Sequence, residues 1–156
     1  MKLILMVSAL FMASATMTVA EESDFQAGVR ILDSGDSIGA ARHFKRCSDQ
    51  GELRCQIAYA SFLHRGEGVR QNIRSAFDLY YIAAQKGDAT AQLNVGEFYE
   101  NGDVVDADMR EAAFWYSLAA LQGREWAITR KEIIISQLTP ADLDMVQKRV
   151  RETAAN

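Results

Sequence analysis

Between residues 89 and 100 the chain reads ATAQLNVGEFYE, with apolar or small residues at Ala91, Val95, Gly96, Phe98 and Tyr99. Recurrence at three and four positions predicts a helix with one buried stripe. Asn101, Gly102 and Asp103 stop it, because Asn and Gly tolerate the left-handed backbone that follows a helix. Asp108 is then placed to cap a second helix, with Glu111 three residues on to complete a capping box. The stripe of that helix is Ala112, Trp115, Tyr116, Ala119 and Ala120, and Gly123 ends it. No segment alternates with period two over a useful length, so the pattern predicts helices and no sheet.

The same pattern recurs. Gly51, Gly87 and Gly123 stand 36 residues apart within "DQGELRCQ", "QKGDATAQ" and "LQGREWAI". At the same offset Gly66 matches Gly102, Val69 matches Val105, Ala76 matches Ala112, Tyr80 matches Tyr116, and Ala83-Ala84 matches Ala119-Ala120. One offset further back, Ala40, Phe44 and Cys47 fall under Ala76, Tyr80 and Ala83. Each unit is therefore a pair of antiparallel helices with a glycine-marked turn at each end. A single pair cannot bury two apolar stripes, but stacked pairs can. The expected fold is all-α, a right-handed solenoid of helical hairpins. Alanine and glycine slots let neighbouring helices approach closely, and Tyr99, Trp115 and Tyr116 fill the space they leave.

The ends suit a short array. "FQAGVRILDSGD" reads as a first helix and turn, with Asp36 to Gln50 as its partner. Beyond Gly123, "REWAITRKEIIISQL" starts another first helix. Thr139, Pro140 and Asp142 then form a helix-start signature. Leu143, Val146 and Val150 give the final helix one apolar face, and Asp144, Lys148, Arg149, Arg151 and Glu152 are expected in solvent. That helix reads as a cap over the last hydrophobic edge.

The stretch "YENGDVVDADMREAAFWYSLAALQG" resembles the Sel-one-like repeat, a relative of the tetratricopeptide repeat. Tyr99, Gly102, Val105, Asp108, Ala112, Trp115, Tyr116, Ala119, Ala120 and Gly123 carry the likeness, while Val104 and Glu111 depart from it. The preceding unit keeps Gly66, Gly68, Val69, Ala76, Tyr80, Ala83, Ala84 and Gly87, and departs at Leu63, Asn72 and Leu79. The resemblance covers residues 52–123 well and 25–51 more weakly. It implies a protein- or peptide-binding scaffold whose ligand lies in the groove of the first helices. Carried onto this chain, the inward positions are Arg54, Ile57, Ser61, His64, Asn94, Glu97, Asn101 and Arg130.

Residues 1–20 read as a signal peptide. Lys2 precedes an apolar run from Leu3 to Ala13, too short to span a bilayer, and Thr18-Val19-Ala20 resembles a peptidase site. An uncleaved anchor is the alternative, disfavoured by Glu21, Glu22 and Asp24 where a basic stop-transfer patch would stand. Removing Lys2 leaves 16 basic against 21 acidic residues, a net charge of −5. That argues against a nucleic-acid partner, which requires a basic face. One domain is expected over residues 21–156, with units at 24–51, 52–87 and 88–123 and a terminal helix plus cap over 124–156. The protein is expected in the periplasm or secreted, a monomer, off the membrane once cleaved, and bound to another protein or an extended peptide.

Cys47 and Cys55 are the two cysteines of the chain and flank the turn at Gly51. Export takes them into an oxidising compartment, and the turn folds one helix back along the next, so a disulfide can staple adjacent units. The secreted cysteine-rich Hcp-type branch of the resembled family shows the same spacing. The rival is a metal site of His43, Cys47, Cys55 and His64. His64 lies nine residues after Cys55 and points to roughly the opposite side of its helix. His43 occupies the slot of Leu79 and Trp115, where packing suffices. The disulfide is favoured, with no metal and no cofactor.

The cysteine-rich relatives also imply an alternative, penicillin binding or weak β-lactamase activity. The serine enzymes of that chemistry pair Ser with Lys three residues on, and no serine after residue 20 has that partner. Oxidised cysteines offer no thiolate. "GEG" at 66–68 is the repeat's own turn and no phosphate loop. No catalytic residue is therefore assigned. An inhibitor or structural partner of an envelope enzyme would use the same groove.

Overall fold

The computed structural model describes residues 23–155. The described residues form eight helices and no strand: α1 (Asp24–Asp33), α2 (Ser37–Asp49), α3 (Leu53–Arg65), α4 (Ile73–Gln85), α5 (Ala89–Asn101), α6 (Met109–Leu121), α7 (Glu125–Ile135) and α8 (Pro140–Ala154). The segment 1–20 read as a signal peptide lies outside them. Each helix from α1 to α6 packs against the next, α1 also touches α3, and α8 lies on α6. This is the expected all-α solenoid of helical hairpins with a terminal capping helix.

The matched glycines mark equivalent bends. Gly51, Gly87 and Gly123 each follow the end of a second helix with φ between 80° and 91°, a region side chains rarely enter. Gly66 and Gly102 end α3 and α5 in the left-handed conformation, and their N–H groups donate to the carbonyls of Phe62 and Phe98. Seven residues then lead to the next helix. In both hairpins this loop is closed by one backbone bond, Asn72 N–H to Leu63 O and Asp108 N–H to Tyr99 O, each 2.9 Å. The first hairpin has three residues at this place, 34–36, so it is four residues shorter. Helix α1 therefore leaves the 36-residue register, which weakens its likeness to the later units.

Small residues set the distance within a hairpin. A Cβ on Gly96 would stand 2.8 Å from the ring of Tyr116, and one on Gly28 would stand 2.4 Å from the ring of Phe44. In these two hairpins an aromatic ring of the second helix thus lies on bare backbone of the first. The core falls into two clusters. One joins Phe44, Cys47, Cys55 and Phe62 at the N-terminal end, and the other runs from Ala60 to Val146.

One side chain departs from expectation. Asp108 accepts from the backbone amides of Arg110 and Glu111, as a cap should. Glu111, however, does not close the capping box; its carboxylate pairs with Arg149 of α8. Arg149 is exposed, as expected, and also lies 3.7 Å from the ring centroid of Phe114. A guanidinium gains both a carboxylate and an aromatic face there, which water alone would not supply. Val146 is the buried centre of the α8 apolar face, with Leu143 and Val150 half-buried beside it.

A groove along the first helices

Helices α3, α5 and α7 begin at equivalent positions of successive units, so Glu52, Asp88 and Arg124 are their N-caps. Asp88 caps Ala91 N–H at 2.8 Å. Glu52 and Arg124 make no side-chain cap, and Arg124 instead donates to the hydroxyl of Thr90 across the repeat boundary. A groove of about 580 Å³ runs along α3 between α1 and α5. Of the residues assigned inward by resemblance, Arg54, Ile57, Ser61 and Asn94 line it together.

The other four sit elsewhere. Arg130 pairs with the largely buried Glu100, its Nε 3.2 Å from Oε2, and lies over Trp126. Glu97 stands near enough to Tyr116 to add to the upward shift of its phenol, which burial chiefly causes. The ring of His64 packs against Phe98 with centroids 5.1 Å apart, and Asn101 is exposed at the end of α5. The groove also recruits residues that were not assigned to it from sequence: Phe25, Arg65, Tyr80, Thr90 and Arg124. Their convergence depends on how the units stack; Thr90 and Arg65, which fall under Arg54 and Asn101 at the repeat offset, could have been traced.

The lining is chemically mixed. Phe25, Ile57 and Ala58 give apolar floor, and Arg54, Arg65 and Arg124 give cations against the single carboxylate of Asp88. Arg54 lies 3.9 Å from the centroid of Phe25, a cation on an aromatic face. Burial pushes the Tyr80 phenol upward, and a hydrogen bond with Ser61 opposes it, so both remain neutral hydrogen-bonding groups. Among the described residues this lining holds no histidine and no thiol beside Ser61.

Cys47 and Cys55 are bonded across the α2–α3 turn, with Cα atoms 5.7 Å apart, and both are fully buried. The histidines of the rival metal set point away. His43 Nε2 lies 2.7 Å from the carbonyl of Asp24, and its Nδ1 lies 3.0 Å from Arg46. Among the described residues, the one group spaced to hold a metal is Cys47, Glu52 and Cys55. With the sulfurs joined, only Glu52 is left to ligate.

Stacked helical pairs with glycine bends and a polar inner groove define a helical-repeat scaffold. Residues 53–88 and 89–123 match the Sel1 repeat family, so the chain carries two Sel1 repeats. It is similar to the crystal structure of c5321, a protective antigen present in uropathogenic Escherichia coli strains displaying an SLR fold. That likeness has a TM-score of 0.76 and 22% identity, over 83% of this chain and 29% of that one. It is also similar to a Sel1 repeat protein from Oxalobacter formigenes, with a TM-score of 0.68 and 24% identity over 85% of this chain and 55% of that one. The chain thus spans a minor part of the first and about half of the second. No curated protein matches it.

Proposed function

We propose that this protein is an exported adaptor that holds a segment of another protein in the groove along α3. The observation that carries this reading is the convergence of Arg54, Ile57, Ser61 and Asn94, from two repeats, on one trough of ligand-binding size. Proteins built of Sel1 repeats generally mediate protein–protein interaction, which agrees with it. Export is supported by the bonded, buried cysteine pair, and no described helix is long and apolar enough to cross a membrane. In this reading residues 1–20 are removed, residues 21–156 act as one domain, and the monomer works without catalysis or cofactor.

The test is capture from the periplasmic and culture-medium fractions of producing cells. A partner held by the wild type is expected to be lost with Ile57→Glu and with Asn94→Glu, while far-UV circular dichroism shows the helices retained. It should be retained with Ile82→Glu, since Ile82 is an exposed residue of the second helix α4. Equal capture by the groove variants would exclude the groove as the binding site.

A further inference from the structure

We propose that the occupant of the groove is an extended, acidic segment of a partner protein, read through its Asp and Glu side chains. This rests on the adaptor reading and adds the chemistry of what is bound. The chain as a whole is acidic, with net charge −4. Yet the groove lining carries three arginines and one carboxylate. The carboxylate, Asp88, is already turned to the amide of Ala91 at 2.8 Å. Arg65 is balanced by Glu67 at 2.9 Å, an exposed pair that a ligand can compete with at little cost. Arg54 rests on the ring of Phe25 and Arg124 on the hydroxyl of Thr90, so these two cations have neutral partners among the described residues. A positive trough on a negative body excludes basic ligands and draws an acidic one to a single place.

The spacing of the cations distinguishes an internal segment from a chain end. Arg54 stands in the first turn of α3 and Arg65 is its last residue, 11 positions on. At about 1.5 Å per residue they lie roughly 16 Å apart along the helix. One terminal carboxylate cannot reach both ends. Two acidic side chains about five residues apart on an extended strand, rising about 3.3 Å per residue, can. Ile57, Ala58 and Tyr80 floor the space between, where small or apolar residues of the strand would lie, and Ser61 and Asn94 offer hydrogen bonds to its backbone.

Fluorescence anisotropy on the full processed chain tests this. The probe is a labelled peptide of about nine residues, blocked at both ends, with glutamates at its second and seventh positions in a Ser/Ala/Thr background. Matched peptides carry glutamine or lysine at those positions, and a fourth carries glutamine with a free terminal carboxylate. The glutamate peptide is expected to bind about tenfold or more tightly than the glutamine peptide, and to weaken with added salt. Arg54→Glu combined with Arg124→Glu should reverse the preference toward lysine. Equal binding of the glutamate and glutamine peptides, tight binding that needs only the free terminus, or no binding by any of them overturns the proposal. None of these results touches the adaptor reading, which stands or falls on partner capture through Ile57 and Asn94.

Discussion

Gly96 matters through the side chain it lacks. Tyr116 lies where a Cβ would be and is itself fully buried, with its hydroxyl donating to Glu100 at 2.7 Å. Glu100 in turn holds Arg130 of α7, so one glycine sets the contact that links three helices of two units. Gly96→Leu should therefore lower stability by about 1–3 kcal/mol, as overpacking in a closed contact does. Glu97→Gln, on the neighbouring half-buried position, should shift it by less than about 0.5 kcal/mol. Urea unfolding of the two variants beside the wild type measures the difference. The role of Gly96 was partly legible: its place on an apolar stripe is visible in the sequence, and so is Tyr116. The bond from Tyr116 to Glu100 was not, because a carboxylate 16 positions away leaves no periodic mark.

At the scale of the helix, caps and charges decide where each element starts and what it leans on. Burial alone would raise the carboxyl of Asp108, but hydrogen bonds from the Arg110 side chain and the amides of Arg110 and Glu111 outweigh it and hold it below its ordinary value. A carboxylate depressed on folding stabilises the fold above its unfolded pKa, and that contribution disappears as pH falls through the folded value. The melting temperature of the wild type should therefore fall faster than that of Asp108→Asn as pH drops below about 4, because Asn caps without titrating. Thermal melts from pH 6 to pH 2 read this directly, and parallel curves would exclude the assignment. Element identity was readable throughout, because apolar spacing and cap residues are local. The partner of Glu111 was not: Arg149 reaches it from a helix 38 residues later, and a reciprocal cap was the nearer candidate. The shortened α1–α2 turn was equally hidden, since four missing residues blur the alignment of α1 without changing its helical pattern.

Over the whole molecule the array is nearly one-dimensional, each unit resting on its neighbours. The N-terminal cluster around Phe44 is the smaller of the two, and the Cys47–Cys55 bond lies within it, tying α2 to α3. Reducing that bond, or replacing both cysteines with alanine, should cost about 2–3 kcal/mol. The loss should be uneven. Amide exchange is expected to quicken first in α1 and α2, while α4 to α6 keep their protection and far-UV circular dichroism retains most of its helical signal. Uniform loss of protection along the chain would show that the bond holds the entire array. The fold at this scale followed from the glycine period, whose positive φ angles require that residue type. The groove was half legible: Arg54, Ile57, Ser61 and Asn94 follow the repeat, whereas Phe25 and Arg124 join them only through the stacking of units.

Both cysteines are wholly enclosed by their neighbours. An oxidant cannot reach thiols so enclosed once the helices have closed around them. The link must therefore be forged while the polypeptide is still open. Thereafter the same enclosure shields it from reductants, so the finished bond outlasts the conditions that made it.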